Sequence, residues 1–214
     1  MRTEEVTIRS SDGLKLQGVV DEPDDVRGAF VLCHPHPKMG GTMNAPLLVA
    51  LRDRLVSDGW GVVRFNFRGI GASEGEASTG EKEVADAKGA VALAKDRWPD
   101  VPLVIGGWSF GAAVAIRTMD AHPEIKAGVA IAPAVKPREG ITAGLPDPSR
   151  VSLDAPVLFV AAVNDHLVEL DDCRAWIERV PRAEIAELEG ANHFFWAKYD
   201  DLVDVVASWL ADNV

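Results

Sequence analysis

The sequence contains little cysteine, little tyrosine and few positive charges. Two cysteines and one tyrosine occur among 214 residues, and 22 lysines and arginines stand against 33 aspartates and glutamates, for a net charge of −11 at pH 7. Nucleic acids and anionic lipid surfaces attract proteins with an excess of cations, so we expect neither as a partner. Cys33 and Cys173 occur in a strand-like and a helix-like segment. That pattern fits neither a disulfide framework nor a zinc site, and we interpret both as core residues.

Long apolar runs are also missing. No segment approaches the roughly 20 apolar residues that a membrane-spanning helix needs. The N-terminal segment MRTEEVTIRSSDG lacks the apolar stretch of a signal peptide. We therefore expect a cytoplasmic protein with no membrane partner. The length predicts one domain, residues 1–214, because domains contain about 100–200 residues and α/β folds often run somewhat longer.

Short strand-like and helix-like segments alternate along the chain. EEVTIRSSDGLKLQGVV predicts an antiparallel hairpin, since two β-branched runs flank a turn sequence, Ser11 to Gly13. Further strand-like segments then alternate with helical patterns: AFVLCH, WGVVRFNF, PLVIGG, KAGVAIA, PVLFVAAV and AEIAELEG. Parallel strands need crossover connections of this kind. The pattern therefore predicts an α/β fold with a mostly parallel, eight-stranded sheet and helices on both faces.

Residues suited to acyl transfer follow several of these strands. Ser109 comes after PLVIGGW, Asp165 after PVLFVAAV and His193 after AEIAELEG, while HPHP at residues 34–37 follows AFVLC. Open α/β sheets bind ligands at the carboxyl ends of their strands, so we expect these side chains at one edge. A hydroxyl attacks once an imidazole removes its proton, and a carboxylate holds that imidazole in the correct tautomer.

Ser109 lies in a Gly-x-Ser-x-Gly sequence, GWSFG, between a predicted strand and a predicted helix. This arrangement predicts a sharp, strained turn that lifts the hydroxyl clear of the sheet, with Gly107 and Gly111 leaving the necessary room. The N–H of Phe110 then lies at a helix N-terminus. Unsatisfied donors and the positive end of the helix dipole can meet developing negative charge there.

With these motifs the sequence resembles the α/β-hydrolases over nearly its whole length. HPHP…GGTM, FNFRGIGASEG and GWSFG resemble most closely the small, lidless bacterial branch of that superfamily. The resemblance implies the α/β-hydrolase fold, with Ser109 as nucleophile, Asp165 as the acid and His193 as the base. Residues 133–156 form a connection too short for a large cap domain, and we expect none.

The resemblance also implies an oxyanion hole made by two backbone N–H groups, those of Phe110 and His36. In the usual His-Gly-x motif the residue at x is the donor, and His36 aligns with it. Pro35 has no N–H, so His36 is the one donor that HPHP offers.

Candidates for the substrate pocket are His34, Met39, Trp108 and Phe194. We interpret the aromatic run at residues 194–196 mainly as packing, on the rule that apolar runs form core. His34 and His36 could share a metal, but a zinc site needs a third protein ligand. Asp165 or His166 could serve as that ligand, at the cost of the acid of the triad. RGIGASEG has a glutamate where a dinucleotide loop needs its third glycine. We expect neither metal nor cofactor.

The sequence thus predicts a carboxylesterase-like serine hydrolase that cleaves a small acyl ester through an acyl-enzyme. A peptidase, a thioesterase and an acyltransferase with the same triad remain open, because this fold serves all of them. A ligand-binding module without catalysis is the alternative of another class, and the combination of triad and glycine turn argues against it. A homodimer through an edge strand also remains open.

Overall fold

The computed structural model describes all 214 residues and contains eight strands and five helices. The strands are β1 (Arg2–Arg9), β2 (Lys15–Glu22), β3 (Gly28–Cys33), β4 (Trp60–Phe65), β5 (Leu103–Trp108), β6 (Ile125–Ile131), β7 (Val157–Ala162) and β8 (Ala183–Leu188). The helices are α1 (Pro46–Ser57), α2 (Glu83–Arg97), α3 (Phe110–Met119), α4 (Leu170–Ile177) and α5 (Tyr199–Asn213). Short 3₁₀ turns occupy Pro37–Met39 and Pro148–Arg150.

All eight strands belong to one sheet, in the order β1-β2-β4-β3-β5-β6-β7-β8. The pairs β1–β2 and β2–β4 are antiparallel, and every later pair is parallel. In the hairpin, Ile8 lies opposite Leu16, and both side chains are buried. The predicted fold class, a mostly parallel eight-stranded sheet with an N-terminal antiparallel hairpin, is therefore confirmed.

The sheet has a core on each face. Successive residues of β5 show the alternation: Leu103 and Ile105 join one cluster, and Val104 joins the other. Helices α2, α3 and α4 supply the first cluster, and α1 and α5 supply the second. All six residues of β3, β4, β5 and β7 are buried, as expected for parallel strands covered on both sides. Cys33 and Cys173 are buried free thiols within this core, as predicted.

The carboxyl ends of β3, β5, β7 and β8 meet at one edge of the sheet, because these strands run parallel. The connection between β6 and β7 passes over the same edge. Its only regular features are the 3₁₀ turn at 148–150 and an antiparallel bridge between Arg138 and Thr142. No cap domain is present, as expected, so the strand ends face an open cavity.

A buried ion pair braces the loop after β4. The Arg68 guanidinium lies 2.7 Å from Asp86 in α2, and both side chains are almost completely buried. The pair joins the loop after β4 to α2. None of the five helices has the length and hydrophobicity needed to span a lipid bilayer.

Candidate active site

Ser109 forms a strained turn between β5 and α3. Its backbone has φ 56° and ψ −113°, a left-handed conformation that residues other than glycine rarely adopt. Two sets of backbone bonds hold the turn: the Ser109 N–H donates to the Ile131 carbonyl at 2.8 Å, and its carbonyl accepts from Ala112 and Ala113. Ser109 is therefore fixed between the end of β6 and the first turn of α3.

The glycines on either side of Ser109 allow this turn to approach β3. A Cβ on Gly111 would lie 2.3 Å from the Cys33 carbonyl oxygen and 2.4 Å from that of His34. A Cβ on Gly107 would lie 2.5 Å from the Gly111 backbone. Any side chain at either position would push the turn away from the strand end, which explains the Gly-x-Ser-x-Gly spacing.

A chain of hydrogen bonds joins Ser109, His193 and Asp165. The Ser109 Oγ lies 3.0 Å from His193 Nε2, and His193 Nδ1 lies 2.7 Å from Asp165 Oδ2. Since the carboxylate can only accept, Nδ1 carries the proton, and Nε2 of the neutral ring is free to accept from the serine hydroxyl. The structure thus brings together the three side chains that the sequence analysis selected, in the geometry of a nucleophile, a base and an orienting acid.

Asp165 is held by the turn that follows β7. Its second oxygen, Oδ1, accepts hydrogen bonds from the N–H groups of Leu167 at 2.7 Å and Val168 at 3.0 Å. Burial opposes ionisation of the carboxyl group. The hydrogen bond and charge of His193 and the two amide donors outweigh that effect, so the pKa of Asp165 lies below its usual value. The carboxylate is therefore charged throughout the neutral range.

His193 follows β8 and is nearly buried, with 7% of its side chain exposed. Its carbonyl accepts a hydrogen bond from Trp108 Nε1 at 3.1 Å, and the two rings lie 6.1 Å apart. This bond ties the loop after β8 to the residue preceding the serine. Trp108 therefore helps to hold the imidazole beside the Ser109 hydroxyl.

A cavity of about 570 Å³ opens beside these residues, and Ser109 and His193 both lie in its wall. Three predicted pocket residues, Met39, Trp108 and Phe194, line it. The β6–β7 connection contributes Ala134 to Arg138 and the pair Ile141 and Thr142. The connection therefore forms one side of the cavity.

The interpretation of His34 as a pocket residue is wrong. Its side chain is completely buried and is not part of the cavity wall. Nδ1 bonds the Pro35 carbonyl at 2.7 Å, and Nε2 accepts from the Phe67 N–H at 3.0 Å. The imidazole thus joins the loop after β3 to the loop after β4. Burial, which outweighs the bond to Pro35, lowers the pKa of His34 to about 4.

His36 lies in the cavity wall, and its side chain has a role that the sequence analysis missed. Nδ1 accepts from the Lys38 N–H at 3.1 Å, and Nε2 lies 3.0 Å from the Ile141 carbonyl. The imidazole ties the loop after β3 to the β6–β7 connection. The His36 backbone N–H donates to no protein acceptor. No local sequence signal predicts the bond between His36 and Ile141, which lie 105 residues apart. Nor does one predict the hydrogen bonds that Leu167 and Val168 donate to Asp165.

The aromatic run at 194–196 divides between core and surface. Phe195 is completely buried in the cluster formed with α1 and α5, whereas Phe194 and Trp196 are 37% and 65% exposed. The expectation of packing therefore holds for the middle residue and is wrong for Trp196.

Residues 24–152 match the family described as serine aminopeptidase, S33. The chain belongs to this family of α/β-hydrolases. It is 31% identical to an uncharacterized protein of Rickettsia prowazekii (strain Madrid E) over 189 residues, which cover 85% of this chain and 77% of the relative.

Two solved structures are similar to the chain over almost its full length. One is an α/β serine hydrolase homologue from Coxiella burnetii, with a TM-score of 0.86 at 28% identity over 98% of each chain. The other is a serine hydrolase without a lid from Xanthomonas campestris, with a TM-score of 0.84 at 28% identity over 98% of this chain and 95% of that one. The fold is also shared with an esterase from Pyrococcus furiosus, at a TM-score of 0.85 and 22% identity over 99% and 92%. The chain is thus an α/β serine hydrolase of the lidless kind.

Proposed function

We propose that this serine hydrolase is a carboxylesterase that cleaves a small acyl ester through Ser109, His193 and Asp165. The observation that carries the proposal is the pair of hydrogen bonds, 3.0 Å and 2.7 Å, that connects hydroxyl, imidazole and carboxylate beside an open cavity. Residues 1–214 act as one domain in this proposal, and the single eight-stranded sheet supports that assignment.

In the acylation step, Ser109 Oγ attacks the ester carbonyl carbon while His193 Nε2 takes the hydroxyl proton. Asp165 stabilises the imidazolium that forms, because its carboxylate faces Nδ1. His193 then returns the proton to the alcohol oxygen as the bond between that oxygen and the acyl carbon breaks. The alcohol leaves, and the acyl group stays on Ser109.

The negative charge on the carbonyl oxygen is met by the backbone N–H groups of Phe110 and His36. Phe110 is the first residue of α3, so its N–H has no partner within the helix, and the helix dipole adds positive potential there. The His36 N–H is likewise free of protein acceptors, and both residues line the cavity with Ser109. Preorganised donors of this kind typically each contribute about 3 kcal/mol to the transition state.

Deacylation uses the same groups, with water in the place of the alcohol. His193 takes a proton from water, the hydroxide attacks the acyl carbon, and the proton passes to Ser109 as its bond to the acyl group breaks. No metal or cofactor takes part in any of these steps.

The proposal is tested with a fluorophosphonate probe and short p-nitrophenyl esters. The probe should label Ser109, and Ser109→Ala should lose labelling and lower kcat on the order of a million-fold. Ser149→Ala, which changes an exposed serine in the 3₁₀ turn at 148–150, should keep both properties. An unlabelled wild-type protein that hydrolyses none of the esters, or full activity in Ser109→Ala, would overturn the proposal.

Amide hydrolysis is a second candidate, because the matched family is described as serine aminopeptidase. An aminopeptidase must also hold the free α-ammonium group of its substrate. Glu169 is a carboxylate in the cavity wall that takes part in no ion pair. Amino-acid p-nitroanilides compared with p-nitrophenyl esters decide between the two candidates. Faster turnover of the anilides, lost in Glu169→Gln, would favour the peptidase.

A further inference from the structure

Two aromatic side chains form an exposed stack beside the cavity. The rings of Phe194 and Trp196, here called the aromatic shelf, lie 4.9 Å apart with an angle of 16° between their planes. Phe194 belongs to the cavity wall, while Trp196 lies beyond it. An exposed tryptophan stacked on the rim of a cavity offers a large flat apolar surface, and such surfaces mark binding sites more often than isolated exposed residues do.

The backbone on both sides of Trp196 is strained, and this conformation keeps the indole exposed. Phe195 and Ala197, on either side of it, have φ values of 51° and 60°, in the left-handed region that side chains disfavour. Phe195 points into the core and is completely buried, so the chain must turn sharply on both sides of the exposed indole. Strain of this kind collects at functional sites, where the surrounding structure maintains it. The position of Trp196 is thus built into the loop.

The shelf is continuous with the catalytic base. The Phe194 ring meets the His193 imidazole edge to face, with centroids 5.6 Å apart and planes at 88°. It meets Trp108 in the same way at 6.1 Å. An unbroken series of rings therefore leads from the imidazole, past Phe194, to Trp196 at the surface.

We propose that the aromatic shelf binds the leaving alcohol of the ester and selects alcohols that carry an aromatic or other flat apolar group. The inference rests on the proposed function, because it depends on which part of the substrate faces His193. During acylation the imidazolium gives its proton to the alcohol oxygen while that oxygen separates from the acyl carbon. The alcohol oxygen must therefore lie at Nε2, and the remainder of the alcohol extends past Phe194. The acyl group is bonded to Ser109 Oγ instead, and in this proposal it occupies the part of the cavity away from the shelf.

The test compares esters that differ in the position of their flat group. Ethyl acetate and naphthylethyl acetate share an acyl group and have alkoxide leaving groups of similar basicity, whereas ethyl naphthylacetate carries the ring on the acyl side. Trp196→Ala should lower kcat/KM for naphthylethyl acetate about tenfold, as expected for the loss of one stacking partner. It should leave kcat/KM for the other two esters within a factor of about two.

Two further variants separate stacking from a general disturbance of the loop. Trp196→Phe keeps an aromatic face and should restore most of the activity on naphthylethyl acetate. Met39→Ala removes another exposed apolar side chain of the cavity wall, 69% exposed, which lies in the loop after β3. It should change naphthylethyl and ethyl acetate equally. An equal loss on all three esters in Trp196→Ala, or a loss confined to the acyl-side ester, would refute the proposal.

A binding measurement separates this proposal from the catalytic one. Naphthylethanol, the alcohol product, is titrated by calorimetry into Ser109→Ala protein and into the Ser109→Ala, Trp196→Ala double variant. The Kd should be about tenfold weaker in the double variant. Equal Kd values would overturn the proposal that the aromatic shelf binds the alcohol, even if the wild type hydrolyses esters. Weaker binding in the double variant together with an inactive wild type would refute only the proposed chemistry.

Discussion

Asp21 and Asp165 are two buried carboxylates with opposite kinds of partner. The Asp21 side chain, in β2, is completely buried and accepts from Arg64 at 2.9 Å, from Arg52 at 3.0 Å and from the Thr3 hydroxyl at 2.8 Å. Asp165, 3% exposed, meets no arginine or lysine and is bonded instead to His193 and two backbone amides. One carboxylate faces permanent cations, and the other faces a ring that can change its charge.

This difference matches the structural role that we infer for Asp21 and the catalytic role that we propose for Asp165. Arginine stays protonated under all conditions in which proteins fold, so the cations of the Asp21 cluster do not exchange protons. Their bonds join β1, β2, β4 and α1. Imidazole gains and loses a proton near neutral pH. A fixed negative charge beside the imidazole stabilises the imidazolium that forms when the ring takes up a proton. A buried carboxylate is therefore a sign of chemistry only when its partner can exchange a proton.

Two of the three buried histidines, His34 and His193, repeat the contrast. His34 and His193 are both bonded through both ring nitrogens, and in each ring Nδ1 carries the proton and Nε2 accepts. The partners of His34 are backbone groups, which cannot take a proton or attack a substrate. The partners of His193 are a carboxylate and a hydroxyl. Similar burial and the same tautomer thus accompany a structural role in His34 and the proposed role of base in His193.

Within this comparison, the largest effect is expected when the carboxylate at His193 loses its charge. In Asp165→Asn the amide oxygen can still accept from Leu167 and Val168, so the turn keeps its bonds and the protein should fold. The amide NH₂ then faces His193 Nδ1 and favours the tautomer whose Nε2 carries the proton. That ring cannot accept the serine proton, and kcat should fall on the order of 10⁴-fold in steady-state ester hydrolysis.

Asp172→Asn is the matched control for this variant. Asp172 also lies in the cavity wall, but its partner is Lys136 at 2.8 Å and it has no bond to His193. Its kcat should stay in the wild-type range. Comparable losses in the two variants would mean that negative charge in the cavity matters in general, and the distinction between carboxylates with fixed and with exchanging partners would fail.

The next effect is on stability. Asp21→Asn leaves the buried charges of Arg64 and Arg52 without their carboxylate and should lower the free energy of unfolding by about 3–5 kcal/mol in urea denaturation. Asp53→Asn is the control, since Asp53 lies 2.7 Å from the same Arg52 but is 56% exposed, and its loss should cost less than about 1 kcal/mol. The kcat of folded Asp21→Asn should remain of wild-type order. A catalytic loss as large as that of Asp165→Asn would show that Asp21 is not merely structural.

The sequence predicts the fold well because its signals are local. Apolar runs such as LVIGG and VLFVAAV and the helices between them require a parallel sheet, and the turn at Ser11–Gly13 requires the hairpin. The same reasoning predicts that Ser109, Asp165 and His193 lie at one edge, where the structure joins them by hydrogen bonds. Their catalytic roles stay predictions until the variants are measured.

The features of the site that the sequence does not predict depend on contacts between distant segments. HPHP does not indicate which histidine turns inward, since His34 packs against and bonds to Phe67, just after β4, and His36 is held by Ile141. The Phe194–Trp196 stack depends on the left-handed backbone at Phe195. Nothing in a short run of aromatic residues predicts that alternation between core and surface.

The smallest effect is the pH dependence that His34 imposes on stability. Burial lowers the pKa of His34 from 6.5 to about 4 in the folded protein, so between these values the unfolded chain binds a proton that the folded protein excludes. The contribution of His34 to the free energy of unfolding is therefore fully present above pH 6.5. It decreases as the pH drops towards 4, by about 3 kcal/mol in total. In His34→Gln, whose amide oxygen can accept from the Phe67 N–H, this part of the decrease should vanish, whereas His166→Gln, an exposed control, should follow the wild-type curve. Urea unfolding at a series of pH values measures the difference, and parallel curves for wild type and His34→Gln would mean that the buried ring accepts a proton as readily as the unfolded chain does.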